Sequence, residues 1–118
     1  YGNQVPNLAT GYINSTLKSY YIDISRAHGA GGLHSTVDDL YKWDQALYGE
    51  QLVKHGTLDE IFTPRVTIQE DQDMSYAYGW MVGEENGHPV IMHGGSIGGY
   101  NSVLIRYPED KISIIRLM

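Results

Sequence analysis

From Tyr76 the pattern of bulky residues takes a period of two, whereas between Val37 and Tyr48 the apolar positions recur at helical spacing. In the first of these stretches Tyr76, Tyr78, Trp80 and Val82 alternate with Ala77, Gly79 and Met81. That predicts a strand with one bulky face and one small face against which a helix can pack closely. Glu84-Glu85-Asn86-Gly87 predicts a hairpin turn, because Asn-Gly takes up the positive φ angles a two-residue connection requires. A second strand is expected over roughly 88–93 and a third over 100–107. Pro108-Glu109-Asp110-Lys111 then turns the chain into a fourth strand over 112–117. These four strands form an antiparallel meander.

The helical stretch begins with Ser35 or Thr36 as N-cap, each with an aspartate three residues on, close in shape to a capping box. Asp38 and Asp39 fall in the first turn, where the helix dipole favours negative charge. Val37, Leu40, Tyr41, Leu47 and Tyr48 make the apolar stripe, Trp43 widens it, and Gly49 supplies a stop. Asp44 sits on the apolar side, as a carboxylate at the stripe's edge reaching water or as a buried acceptor for a backbone or tyrosine donor. A shorter helix is expected from His55 to Phe62 with Leu58, Ile61 and Phe62 inward, ended by Thr63-Pro64. Residues 65–75 are polar and acidic and read as a loop. The first 26 residues lack a sustained period and read as irregular, with a short strand over 19–24, and a glycine-rich turn follows at 27–33. The predicted class is α+β, two helices followed by an antiparallel sheet of about four strands.

Composition narrows the functional classes. The chain has 118 residues, 42% of them hydrophobic, enough for one modest core. A net charge of −6 argues against a nucleic-acid partner and against a basic membrane-facing patch. No apolar run reaches the length of a membrane span. The absence of cysteine excludes disulfides and thiolate metal sites. His28, His34, His55 and His88 are scattered without ligand spacing, so no metal and no cofactor is expected; Asp71 and Asp73 offer at most a weak cation contact in a solvated loop.

One segment does not fit an ordinary strand pattern. His93-Gly94-Gly95-Ser96-Ile97-Gly98-Gly99 holds four glycines in six positions, between Pro89-Val90-Ile91-Met92 and the run from Tyr100 to Ile105. Glycine is costly in a strand and is kept where φ must be positive or where another group approaches the backbone. A tight hairpin and the floor of a binding cleft both satisfy that, and they are not exclusive.

Two further short patterns carry potential chemistry. Ser15-Thr16-Leu17-Lys18 spells Ser-x-x-Lys, which on a helix places an amine one turn from a hydroxyl and activates it. Tyr1-Gly2-Asn3 spells Tyr-x-Asn. With His93-Gly94-Gly95 these are the motif types of the serine beta-lactamase and penicillin-binding protein superfamily, but the first two stand in inverted order and nearly adjacent, as chance matches do.

The resemblance lies instead with the C-terminal part of that superfamily, in the branch of class C beta-lactamases, D-alanyl-D-alanine peptidases and related esterases. Leu8-Ala9-Thr10-Gly11-Tyr12 resembles one of its segments, and Ala30-Gly31-Gly32-Leu33-His34-Ser35-Thr36 leading into Asp38-Asp39-Leu40 is similar to its helix entry. Tyr78-Gly79-Trp80, the His93–Tyr100 motif and the closing hairpin over 108–117 follow in the family's order. The resemblance implies an incomplete beta-lactamase-like fold, with 1–118 a single fragment from the C-terminal portion of a catalytic domain. It implies an acyl-serine mechanism on a beta-lactam, a D-Ala-D-Ala peptide or an ester. His93 would be the basic residue of the third motif, Gly95 its glycine, and the Ser96 N–H one arm of the oxyanion hole. The nucleophile and general base are then expected upstream of residue 8. The fragment is expected to be inactive alone and to self-associate through exposed strand edges, and its parent to act outside the cytoplasm. A member of the family that has lost catalysis and binds peptide or peptidoglycan is the competing expectation.

Overall fold

The computed structural model describes residues 6–19, 28–69 and 73–118. Helix α1 (Val37–Ala46) and helix α2 (His55–Phe62) precede a sheet of strands β1 (Val66–Gln69), β2 (Met74–Tyr76), β3 (Met81–Glu85), β4 (His88–Ile97), β5 (Tyr100–Tyr107) and β6 (Ile112–Leu117). The sheet is antiparallel throughout in the order β1-β2-β3-β4-β5-β6. The α+β class and the helices-then-meander order are as the sequence implies; the sheet carries two strands more.

Those two strands come from correcting two local expectations. Residues 65–75, read as a loop from their polarity, supply β1 and most of β2. The strand expected to run unbroken through Tyr76–Val82 is instead a tight reversal. Gly79 takes φ +81°, its N–H donates to the Ala77 carbonyl at 2.8 Å, and the Ala77 N–H donates to the Trp80 carbonyl at 2.8 Å. Glycine reaches that φ without the Cβ clash that other residues meet. The reversal changes the side-chain parity, so Ala77 lies with Val82 and Ile91 in the core rather than opposite them.

The turn at 86–87 follows expectation, with Asn86 at φ 53° and Gly87 at φ 85°, the two positive angles of a type I′ hairpin. Strands β5 and β6 have the expected limits. Strand β4 runs four residues further than expected, through the glycines to Ile97.

Cross-strand register aligns Val82, Ile91, Arg106 and Ser113 in one row. Helix α1 covers this face. Its Thr36 hydroxyl accepts from the Asp39 N–H at 3.1 Å, confirming Thr36 as N-cap. Asp44 is wholly buried and binds the Arg106 guanidinium, the Ser113 hydroxyl and the Gln45 amide. It is therefore a buried acceptor, held by an arginine and a serine of the sheet rather than by a backbone or tyrosine donor. Arg106, 1% exposed, also lies over the Tyr48 ring at 4.7 Å and the Phe62 ring at 5.5 Å. Trp43 stacks on Trp80 at 5.8 Å, and Phe62 meets Trp80 edge-on at 5.8 Å. Each such ring pair adds about 0.5–1.5 kcal/mol beyond the area it buries.

The opposite face carries Met81, Met92, Ile105 and Ile114 in a second row and is not covered by α1 or α2. Val90 is buried there, whereas Ile114 and Ile112 remain about half exposed. No described helix is long and apolar enough to cross a membrane.

Candidate active site on the glycine-rich strand

The second half of β4 is where the sheet departs from a regular ladder. β3 begins at Met81, paired with Met92, so residues 93–97 continue with β5 on one side and no β3 partner on the other. All five are exposed.

The hydrogen-bond parity of this extension follows from its neighbour. The Asn101 N–H donates to the Met118 carbonyl and the Met118 N–H to the Asn101 carbonyl, both at 2.8 Å, so the main chain of Asn101 faces β6. Ser96, paired with Asn101, is consequently in a non-hydrogen-bonded pair, and its N–H points away from β5. Ile97 and Tyr100 close a two-residue turn at Gly98-Gly99. Gly94 shares the parity of Ser96. Both amides thus project from the edge left open where β3 has not yet begun.

The glycines divide between two roles. At Gly99, φ is +85° and an added Cβ would lie 2.7 Å from the Tyr12 nitrogen and 2.8 Å from the Ser19 Cβ. At Gly11 an added Cβ would lie 2.6 Å from the Tyr100 ring, and the Tyr100 hydroxyl donates to the Ala9 carbonyl at 3.0 Å. The segment around Gly11 and the tip of the β4–β5 hairpin therefore interlock through two bare backbones. Gly95 has a local partner, since its Cβ would sit 2.8 Å from the Ser102 Oγ. The hairpin reading of the cluster holds at Gly98 and Gly99, and Gly94 and Gly95 keep the strand before it free of side chains. An open hollow of about 660 Å³ borders Gly94, Ser96, Asn101, Val103 and Arg116.

His93 is not in that hollow. Its Nε2 lies 3.0 Å from the Tyr76 hydroxyl, with the two rings edge to face at 5.9 Å and 68°. Gly95 and Ser96 come together with each other and stand two and three residues along the same strand from His93. Tyr76 was not singled out by sequence reasoning, because the alternation around it reads as a strand face and hides the turn that brings it to β4.

The other sequence candidates behave as structural residues or lie outside the description. Ser15 sits in a turn closed by the Tyr12–Lys18 bridge, not at the start of a helix. Asn14 Oδ1 caps this turn, accepting from the Thr16 N–H at 3.1 Å and the Leu17 N–H at 2.8 Å. Asn14 is thereby committed to local structure. Tyr1-Gly2-Asn3, most of the strand expected at 19–24, and Asp71 lie outside the described residues. Among the described residues no group of three potential ligands is positioned to hold a metal ion.

Known proteins are similar to this chain in sequence and in fold. Penicillin-binding protein 4* of Bacillus subtilis (strain 168) is 28% identical over 101 residues, 84% of this chain and 22% of that protein. D-aminopeptidase of Gluconobacter oxydans (strain 621H) is 25% identical over 113 residues, 94% of this chain and 21% of its own length. The putative penicillin-binding protein PbpX of Bacillus subtilis is 36% identical over 62 residues, half of this chain and 16% of that protein. Among solved structures, the octameric penicillin-binding protein homologue from Pyrococcus abyssi superposes with a TM-score of 0.66 at 25% identity, covering 70% of this chain and 20% of that one. The chain thus spans about a fifth of the length of the curated relatives it matches. Residues 2–118 match the Beta-lactamase family model, and with the motif order and the sheet in agreement the chain belongs to the Beta-lactamase family.

Proposed function

We propose that this chain forms the sheet-side wall of a serine acyl-hydrolase site, with the Ser96 N–H as one oxyanion donor. The observation that carries the reading is the direction of that amide, out of the ladder and over the open edge of β4. An N–H fixed in a strand needs no reorganisation when charge develops on the acyl oxygen, and loss of one such donor in a closed site costs about 100- to 1000-fold in rate. Gly94 and Gly95 leave room for the acyl group, and His93 supplies the polar side chain at the start of the open edge.

In the complete site a serine hydroxyl from elsewhere in the full-length polypeptide adds to the acyl carbonyl. Its proton passes to a general base and then to the leaving group as the old acyl bond breaks, and water later hydrolyses the ester. The Ser15 turn does not supply that hydroxyl. The purified 118-residue chain is therefore expected to be inactive on nitrocefin, p-nitrophenyl butyrate and D-Ala-D-Ala peptides. Turnover that vanishes in Ser15→Ala would contradict this.

The full-length protein tests the reading directly. Covalent labelling by a fluorophosphonate or a fluorescent penicillin, weakened at least tenfold in His93→Ala, is the expected outcome. Absence of any labelled serine would favour the second reading, a family member that binds peptide or peptidoglycan without turning it over. Strands β1 and β6 form the two edges of the sheet, and self-association along them belongs to the proposal for the isolated chain. A monomeric light-scattering mass over a hundredfold concentration range would contradict it. An extracytoplasmic location follows the same resemblance, and recovery of the full-length protein only in the cytosolic fraction would exclude it.

A further inference from the structure

We infer that Tyr76 is a positioning residue that fixes the tautomer of His93, with the phenolic O–H donating to Nε2 so that the neutral imidazole carries its proton on Nδ1. The inference rests on the reading of His93 as part of an acyl-transfer site and names what the ring presents to that site.

The turn at Ala77–Trp80 makes the contact possible. It places Tyr76 opposite Met81, the first residue of β3, just where β3 leaves β4 without a partner beside His93. The phenol ring meets the imidazole edge to face, and its hydroxyl comes to 3.0 Å from Nε2. The same reversal thus opens the edge on which the Ser96 amide projects and brings in the residue that holds His93.

The direction of the hydrogen bond follows from the chemistry of the two groups. A neutral imidazole nitrogen is a stronger acceptor than a phenol oxygen, and a phenol is the stronger donor. With Nε2 accepting, the proton of the neutral ring resides on Nδ1, since the bond made by one nitrogen sets the state of the other. When the ring gains a second proton, Nε2–H donates back to the phenol oxygen and Nδ1–H is retained. The nitrogen turned away from Tyr76 is therefore a donor in both charge states. It is suited to a carbonyl or carboxylate oxygen of the bound acyl compound.

The test uses the full-length protein with ¹⁵N-labelled histidine and the variant Tyr76→Phe, which keeps the ring of a residue already 36% exposed. Long-range ¹⁵N–¹H spectra of the wild type are expected to show His93 protonated at Nδ1 and unprotonated at Nε2 when neutral. In Tyr76→Phe the Nε2–H form is expected to gain population, and the rate of labelling by a fluorophosphonate to fall about tenfold. A merely structural role for Tyr76 would leave the tautomer unmoved. A wild-type ring protonated at Nε2, or a tautomer unchanged in Tyr76→Phe, overturns the assignment while leaving the acyl-transfer reading standing. Full labelling of His93→Ala overturns that reading instead, whatever the tautomer shows.

Discussion

Asp44 shows how a residue the pattern left undecided is settled by a partner far along the chain. Its carboxylate meets Arg106, 62 positions away, and Ser113, 69 positions away, at a site with no water access. Removing one charge of a buried pair strands the other, which costs about 3–5 kcal/mol, whereas replacing both with apolar groups of similar volume is often neutral. Asp44→Asn should therefore lower the unfolding free energy obtained from urea titration by about that amount. The pair Asp44→Leu with Arg106→Met should recover most of it, and Ser113→Ala should cost about 1 kcal/mol. A double variant as unstable as Asp44→Asn would contradict this account of α1 docking. The exposed Asp39 offers a contrast. The hydrogen bond from Lys42 and then its charge, with the Thr36 hydroxyl third, hold the Asp39 carboxyl below its usual range. The small stabilisation this carries is present above the unfolded-state value and lost as pH falls through the lowered folded value. Carbon-detected NMR titration should show the Asp39 midpoint rising in Lys42→Ala, and no change would mean the pair does not persist in solution.

At the level of elements, two glycines of similar φ separate strain from crowding. Gly87 and Gly99 both sit at +85°, but an added Cβ meets nothing at Gly87 and the Tyr12 backbone at Gly99. Gly87→Ala should cost about 1–2 kcal/mol from the left-handed conformation alone. Gly99→Ala should cost more, because a main-chain segment must also move. Equal losses in thermal or urea unfolding would show that the segment around Gly11 is not seated on the hairpin. These elements also mark what the sequence makes legible. α2, β5, β6 and the Asn86-Gly87 turn depend on local chemistry, and their positions follow from it. The reversal at Ala77–Trp80 does not, because a single Gly79 inside an otherwise perfect alternation reads equally as a strand residue. The strands in 65–76 were hidden for a related reason: β2 gains its order by pairing with β3, and β1 by pairing with β2, which composition does not express. His93, Gly95 and Ser96 were visible as a cluster, yet the partner of His93 was not, since Tyr76 reaches it only through that reversal.

On the scale of the whole molecule, the chain is a helix-backed sheet whose β3–β4 ladder stops at Met92, so that the β4 amides beyond it have no β3 partner among the described residues. Neither α1 nor α2 covers the Met92 and Ile105 face, and the chain spans about a fifth of its curated relatives; on the proposed reading, residues outside this chain complete the site. The most direct measurement is a crystal structure of the full-length protein carrying a phosphonate adduct on its reactive serine. The expected result is a phosphonyl oxygen about 2.7–3.1 Å from the Ser96 nitrogen, on the side of β4 away from β5. An adduct whose oxygens bind elsewhere, with the Ser96 amide paired to another strand, would contradict the central claim.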